Sequence, residues 1–157
     1  MQKFIPKSKV WLIYCGVLIF AIVLGFGIFS IISRTKDSSV EVNWRLLGEM
    51  DYVSGKSPPE LKALEGQFVK IPGFMVPLED NMKAVTEFLL VPSPQACVHV
   101  PAPPPNQMVF VKMIGGTSPE VAYGPIWVFG KLNLITKKSV YGEASFEIEG
   151  QQIEPYK

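Results

Sequence analysis

Gln67-Phe68-Val69-Lys70-Ile71-Pro72-Gly73-Phe74-Met75-Val76-Pro77-Leu78 is the stretch on which the fold class turns. From Gln67 to Ile71 apolar and polar residues alternate with the period of two that belongs to a β-strand. Pro72-Gly73 interrupts the alternation, and an apolar run resumes to Leu78. A Pro-Gly pair inside a strand pattern suggests a bulge or a sharp bend at a barrel corner. Working outward, further strands are expected at residues 84–91, 96–100, 108–113, 126–135 and 144–148, with another at 152–156. The breaks between them hold Pro92, Pro94, Gly115-Gly116, Pro119 and Gly150, which are turn residues. Upstream, Ser57-Pro58-Pro59-Glu60 reads as a capping box. Ser57 would be the N-cap and Pro58 the first helical residue, with Glu60 reaching back. Leu61 and Leu64 would form its apolar side and Gly66 its stop, giving a helix of about two turns. Many short strands and one short helix predict a mainly β domain, a small barrel or sandwich, in which closure would limit exposed strand edges.

The domain is preceded by a different kind of segment. Residues 1–9 carry Lys3, Lys7 and Lys9 and no acid, and residues 10–33 carry no charge. A helix of that second length would extend about 36 Å, more than the roughly 30 Å of a bilayer core. Trp11 and Tyr14 stand near one end, where amphipathic rings favour the headgroup region. A cleaved signal peptide would have a shorter apolar core and a small-x-small end, whereas this run ends Phe29-Ser30-Ile31-Ile32-Ser33. Leu12-Ile13-Tyr14-Cys15 only superficially resembles a lipoprotein cleavage box, because Ile13 and Tyr14 are too large for one. The expectation is a single transmembrane anchor from Val10 to Ser33, with a cytoplasmic N-terminal tail at residues 1–9. A polar linker at 34–43 would lead to an exported domain at 44–157. The lysines before the span outweigh Arg34 and Lys36, which Asp37 and Glu41 soon offset. That bias favours a cytoplasmic N-terminus and an exported C-terminal domain.

With 15 Lys+Arg against 14 Asp+Glu, the chain is formally +1. The tail holds three of the bases and the span holds no charge. The rest is therefore 12 bases against 14 acids, or −2. A nucleic-acid partner is not expected of such a domain, because phosphate contacts demand a basic excess.

The stretch with most chemical character is Ala96-Cys97-Val98-His99-Val100-Pro101-Ala102-Pro103-Pro104-Pro105-Asn106-Gln107. It contains the protein's one histidine and its one cysteine outside the span. On a strand, Cys97 and His99 would share a face. Thiolate and imidazole together suit zinc or copper. Two donors do not complete a site, so Met75, Met108, Met113, an acid, a second chain or a ligand would have to contribute. The competing reading is a small buried cysteine with a hydrogen-bonded histidine beside it. A lone thiol in an oxidising periplasm must be buried, metal-bound or paired with another chain. The proline run should form a stiff polyproline II segment. Pro101, Pro103, Pro104, Pro105, Asn106 and Gln107 are accordingly candidate partner-binding residues, the alternative being a surface connector. Enzyme chemistry is poorly supplied, with no Gly-x-Ser-x-Gly, HExxH or phosphate-cradling glycine loop. No catalytic residue is assigned. Trp127 reads as core.

These segments also carry a resemblance. Ile71 to Glu79, Glu87 to Pro92, Ala96 to Gln107, Trp127-Val128 with Gly130 and Leu132, Tyr141-Gly142, and Glu154-Pro155-Tyr156 together resemble the bacterial family catalogued as domain of unknown function 3299, over roughly residues 58–156. Family members typically have Gly before Ala-Cys and an unbroken proline run, where this chain has Gln95 and Ala102. The resemblance implies an exported domain with a small OB-like β-barrel. Members are often secreted or lipid-anchored, and some accompany ABC-type transport or metal-uptake systems. The family has no established activity. The resulting expectation is a membrane-anchored, non-enzymatic periplasmic accessory or binding protein with a protein partner. The alternative is a periplasmic domain that binds zinc or copper through Cys97 and His99.

Overall fold

The computed structural model describes residues 16–25, 39–94 and 102–156. The chain divides into two compact units, residues 1–38 and residues 39–157. In the first unit, the described residues 16–25 are helical (α1). Its apolar side chains, Val17, Leu18, Ile19 and Phe20 among them, are exposed. Among the described residues no helix is long and apolar enough to cross a membrane. Most of the span expected at residues 10–33 lies outside them.

The second unit is built on a closed barrel of five strands. In chain order, β1 is Val40–Glu41, β2 Phe68–Pro77, β3 Glu87–Val91, β4 Val109–Met113 and β5 Ile126–Asn133. They are followed by β6 at Lys137–Ser139, β7 at Gly142–Ala144 and β8 at Phe146–Pro155. The barrel runs β2-β3-β4-β8-β5 and closes through a second pairing of β5 with β2. The β4–β8 pair is parallel and the other four barrel pairs are antiparallel. β1 adds to β2 in parallel, placing Val40 opposite Val69. β6 and β7 form a separate hairpin within the β5–β8 connection.

Closure depends on β2. Its residues from Phe68 to Gly73 pair with β5, and those from Phe74 to Pro77 pair with β3. The strand therefore changes partner just after Pro72-Gly73. The expected corner is there, but β2 is continuous and both registers run without a slip, so no bulge forms. Glycine is required at the corner because a Cβ on Gly73 would lie 2.8 Å from both Leu90 Cγ and the Val91 carbonyl. The irregularity sits instead in β5, where the register against β8 shifts between Phe129 and Gly130.

Alternation fills the interior. Val69, Ile71 and Met75 of β2 point inward with Phe88 and Leu90 of β3, and Val109 and Val111 of β4 join the same core. Two short helices, α2 (Trp44–Gly48) and α3 (Pro59–Lys62), contribute Leu47 and Leu61 to it. Full burial of an aliphatic side chain contributes about 1.5–3 kcal/mol, which makes this cluster the main stabilising element.

Several expectations change at this level. Ser57 is not the N-cap of α3. Pro58 holds that position without a side-chain cap, and the helix spans only four residues. Gly66 is not its stop either, because the helix ends at Lys62 with Ala63 as C-cap; Gly66 lies beyond it in a left-handed conformation, with φ of 75°. Helix α2 was not expected; Asn43 caps it by accepting from the Leu46 N–H at 3.0 Å. The linker expected at 34–43 is partly structural, since β1 pairs with β2 and the Val42 N–H donates to the Lys70 carbonyl at 3.0 Å. The strands expected at 144–148 and 152–156 are one strand running through Gly150. There a Cβ would lie 2.7 Å from Met113 Sδ. Trp127 is half-buried on the surface, 5.0 Å from the Tyr156 ring with Lys70 Nζ 4.6 Å from its centroid, and is not core. The strand expected at 96–100 lies outside the described residues.

Candidate functional site

The outer face of the barrel is also apolar on one side. Along β2 and beyond, the residues between the inward ones are Phe74, Val76 and Leu78. They pack with Leu89, Val91, Phe110, Met108 and Ala144 in a second cluster, separate from the core. The β6–β7 hairpin supplies Ala144 and covers only part of this face. Where the cover ends, a pocket of about 570 Å³ opens, lined by Phe74, Val76, Leu78, Glu79, Asp80, Met82, Pro94, Val121, Tyr123 and Tyr141 among others. Such a volume falls in the range of small-molecule sites, about 300–1,000 Å³.

The walls are tied together. The Val121 N–H donates to the Met82 carbonyl and the Val85 N–H to the Pro119 carbonyl, each at 2.9 Å. These bonds join the β2–β3 loop to the β4–β5 connection. Within the β2–β3 loop, Glu79 accepts from both the hydroxyl and the backbone N–H of Thr86. The Thr86 hydroxyl bond, with help from the N–H, holds the Glu79 carboxyl below its ordinary value. The rim of the pocket therefore carries a fixed negative charge. Glu79 and Asp80 are the charged residues of the lining.

Cys97, His99 and Pro101 lie outside the described residues. Of the methionines proposed beside them, Met75 belongs to the inner core and Met108 to the outer cluster, both almost fully buried. The barrel wall stands between these clusters, so the two sulfurs do not converge. Met113 is likewise a core residue, packed against Gly150. Among the described residues no group of three or more His, Cys, Asp or Glu is placed to hold a metal ion.

The described part of the proline-rich loop has a clear task. Pro105–Gln107 form a single 3-10 turn. The Asn106 side-chain amide donates to the carbonyls of Gly48 and Met50 at 2.9 and 3.0 Å. Gln107 donates to the Trp44 carbonyl at 3.3 Å. These are carbonyls of α2 and of Met50 just after it, at the end of the chain segment where a short helix has few bonds of its own. On the other side, the Pro105 carbonyl accepts from the Ser145 N–H at 2.9 Å. Asn106 and Gln107 are thus half-buried groups that hold α2 to the loop. Pro103 and Pro105 are half-buried and Pro104 is exposed.

The sequence reading did not find the pocket. Its signal is nonetheless present, since residues 74–78 are apolar at every position. A strand with one solvated face would alternate, so an unbroken run means that both faces are covered or occupied.

A model of the family described as "Protein of unknown function (DUF3299)" matches residues 43–155. A crystal structure of a DUF3299 family protein from Pseudomonas aeruginosa PAO1 is similar to this chain at 32% identity, with a TM-score of 0.61. The match covers 76% of this chain and 97% of that one. No curated protein matches. The chain belongs to the DUF3299 family.

Proposed function

We propose that this protein is a non-enzymatic binding module with an OB-like barrel, held at the periplasmic face of a bacterial inner membrane by its N-terminal segment. The observation that carries the reading is the apolar pocket beside the outer cluster, two of whose walls, the β2–β3 loop and the β4–β5 connection, are bonded to one another. Strands 1, 2 and 3 of the barrel are consecutive, and the third pairs in parallel with the last, which is the order of an OB-like barrel. Barrels of that class bind along the outer face of their second and third strands. Here the corresponding strands are β3 and β4, and their outer residues Leu89, Val91 and Phe110 belong to the cluster that backs the pocket. Fold likeness alone does not assign a ligand.

The anchoring half of the proposal rests on the uncharged stretch at 10–33 and on the exposed apolar side chains of α1. Tethering raises the local concentration of the module near any membrane partner. A transporter of the ABC type is the partner class that the family resemblance suggests. The test is direct. A C-terminal alkaline phosphatase fusion should be active and a C-terminal green fluorescent fusion dark, with the chain resisting carbonate extraction. The reverse fusion pattern, or release by carbonate, overturns the location. For binding, cross-linking in intact cells from a photoreactive residue at Tyr123 should give a discrete adduct that Leu78→Asp abolishes. An adduct indifferent to Leu78→Asp refutes use of the pocket.

A further inference from the structure

The pocket has a chemical preference written into its lining. Its floor is aliphatic and aromatic, from Phe74, Val76 and Leu78. Among the described residues, its charged lining groups are two carboxylates, Glu79 and Asp80, and no lysine or arginine lines it. Tyr123 and Tyr141 flank the opening, both exposed. Ring faces at an opening attract cations, most strongly where water is partly excluded. We propose that the pocket binds a small organic cation with an apolar body, an alkyl- or arylalkyl-ammonium compound. Its body lies against Phe74, Val76 and Leu78, and its ammonium lies between the carboxylates and the tyrosine rings. The proposal deepens the binding-module reading and rests on it.

Three observations separate this from a merely greasy surface. First, Glu79 is held in place. Each of its oxygens takes one bond from Thr86, and a carboxylate has about four acceptor sites, so it keeps capacity for a ligand. An ionised carboxylate at the edge of an apolar cavity favours a positive group and disfavours an anion of the same shape. Second, the backbone bonds from Val121 to Met82 and from Val85 to Pro119 make the walls part of the fold, so little ordering cost attends binding. Third, the lysine on the loop, Lys83, is not among the lining residues, so among the described residues no competing cation lines the pocket.

The experiment uses the full chain in nanodiscs of uncharged phosphatidylcholine, with empty nanodiscs as the blank. Three water-soluble probes share one apolar body: 4-phenylbutylammonium, 4-phenylbutanol and 4-phenylbutyrate. Binding is followed by calorimetry and by the methyl resonances of Val76 and Leu78. The ammonium should bind about tenfold more tightly than the alcohol, as expected of a partly desolvated charge with aromatic neighbours, and the carboxylate should bind most weakly. In the double variant Glu79→Gln with Asp80→Asn, the ammonium should fall to the alcohol's affinity while the alcohol is unchanged. Tyr123→Ala, at an exposed position that leaves the fold alone, should weaken the ammonium several-fold more than the alcohol. Equal affinity for the three probes, or tightest binding by the carboxylate, overturns the cation preference and leaves the pocket as a general apolar site. Failure of every probe to move the Val76 and Leu78 methyls overturns the pocket itself as a small-ligand site.

Discussion

Replacing Asn106 by alanine should cost the barrel domain stability without touching its core. The Asn106 amide supplies both hydrogens to carbonyls at the end of α2, Gly48 at 2.9 Å and Met50 at 3.0 Å. Helix α2 has five residues, too few to persist unaided. Gly48 packs so closely on the loop that a Cβ there would meet Gln107 Nε2 at 2.7 Å. Each such bond contributes about 0.5–1.5 kcal/mol net, and both are lost together, so Asn106→Ala should destabilise by about 1–3 kcal/mol. For a domain of this size about 4 °C of melting temperature corresponds to each kcal/mol, giving a fall of roughly 4–12 °C. Asn106→Asp is the sharper variant, because it nearly keeps the volume and exchanges two donors for acceptors facing two carbonyls. It should cost at least as much as alanine. Gln107→Ala loses one long bond and should cost less than about 1 kcal/mol. Urea titration with thermal melting measures all three. The reasoning fails if Asn106→Ala lies within about 0.5 kcal/mol of the parent, or if Gln107→Ala is the more damaging change.

Gly130→Ala drives a Cβ into the Glu149 carbonyl and to 2.6 Å from Ile148 Cγ2; it should destabilise by about 2 kcal/mol or more or prevent soluble expression, and a near-neutral urea midpoint would contradict the register of β5 against β8. Thr86→Val should move the Glu79 pKa upward, toward 4.5, as read by carboxyl NMR. The sign follows from the lowered folded value: the stabilisation is present above the unfolded pKa and is lost as pH falls through the folded one. The acid limb of the parent's stability curve should therefore flatten in Thr86→Val, and an unchanged limb would refute the clamp. Met75→Leu and Met108→Leu should leave the zinc and copper content of the purified protein unaltered, since each side chain is almost fully buried among apolar residues. A fall in bound metal with either would mean that a sulfur reaches a site that the packing denies it.

The barrel class was legible because β2 states its period plainly. Val69, Ile71 and Met75 alternate with outward residues, and Pro72-Gly73 sits where the strand changes partner. The elements that escaped are those held by tertiary contacts. Helix α2 has no apolar repeat of its own; its Asn43 cap, the Trp44 indole N–H donating to the Pro72 carbonyl at 2.6 Å and the amides of Asn106 and Gln107 hold it. β6 and β7, three residues each, carry too little pattern to be read. Ser57 looked like a cap because its side chain and Glu60 stand at the right spacing, but the second proline shortens the helix that it would have begun. The Asn-Gln pair entered the reading as the end of a stiff proline run able to dock on a partner. Its partners lie more than fifty residues away in sequence, at Trp44, Gly48 and Met50, which no local pattern can show. The pocket escaped for the same reason, being assembled from β2, three connections and a hairpin turn.

The position of the pocket follows from the same change of partner that closes the barrel. A strand has two hydrogen-bonding edges. Along the first half of β2, β5 takes one edge and β1 part of the other. Along the second half, β3 takes the edge that β1 had used, and β5 has ended at Ile126, opposite Gly73. The stretch from Phe74 to Pro77 is thus bonded by a strand on one edge only, among the described pairings. An open strand edge invites addition of another chain. Here the stretch is four residues long, Pro77 has no N–H to offer, and the 121–123 segment with Tyr141 stands across it. What stays accessible is side-chain surface more than backbone. That geometry suits a compact ligand held by apolar contact and one charge, and it disfavours an extended peptide that would need the backbone ladder.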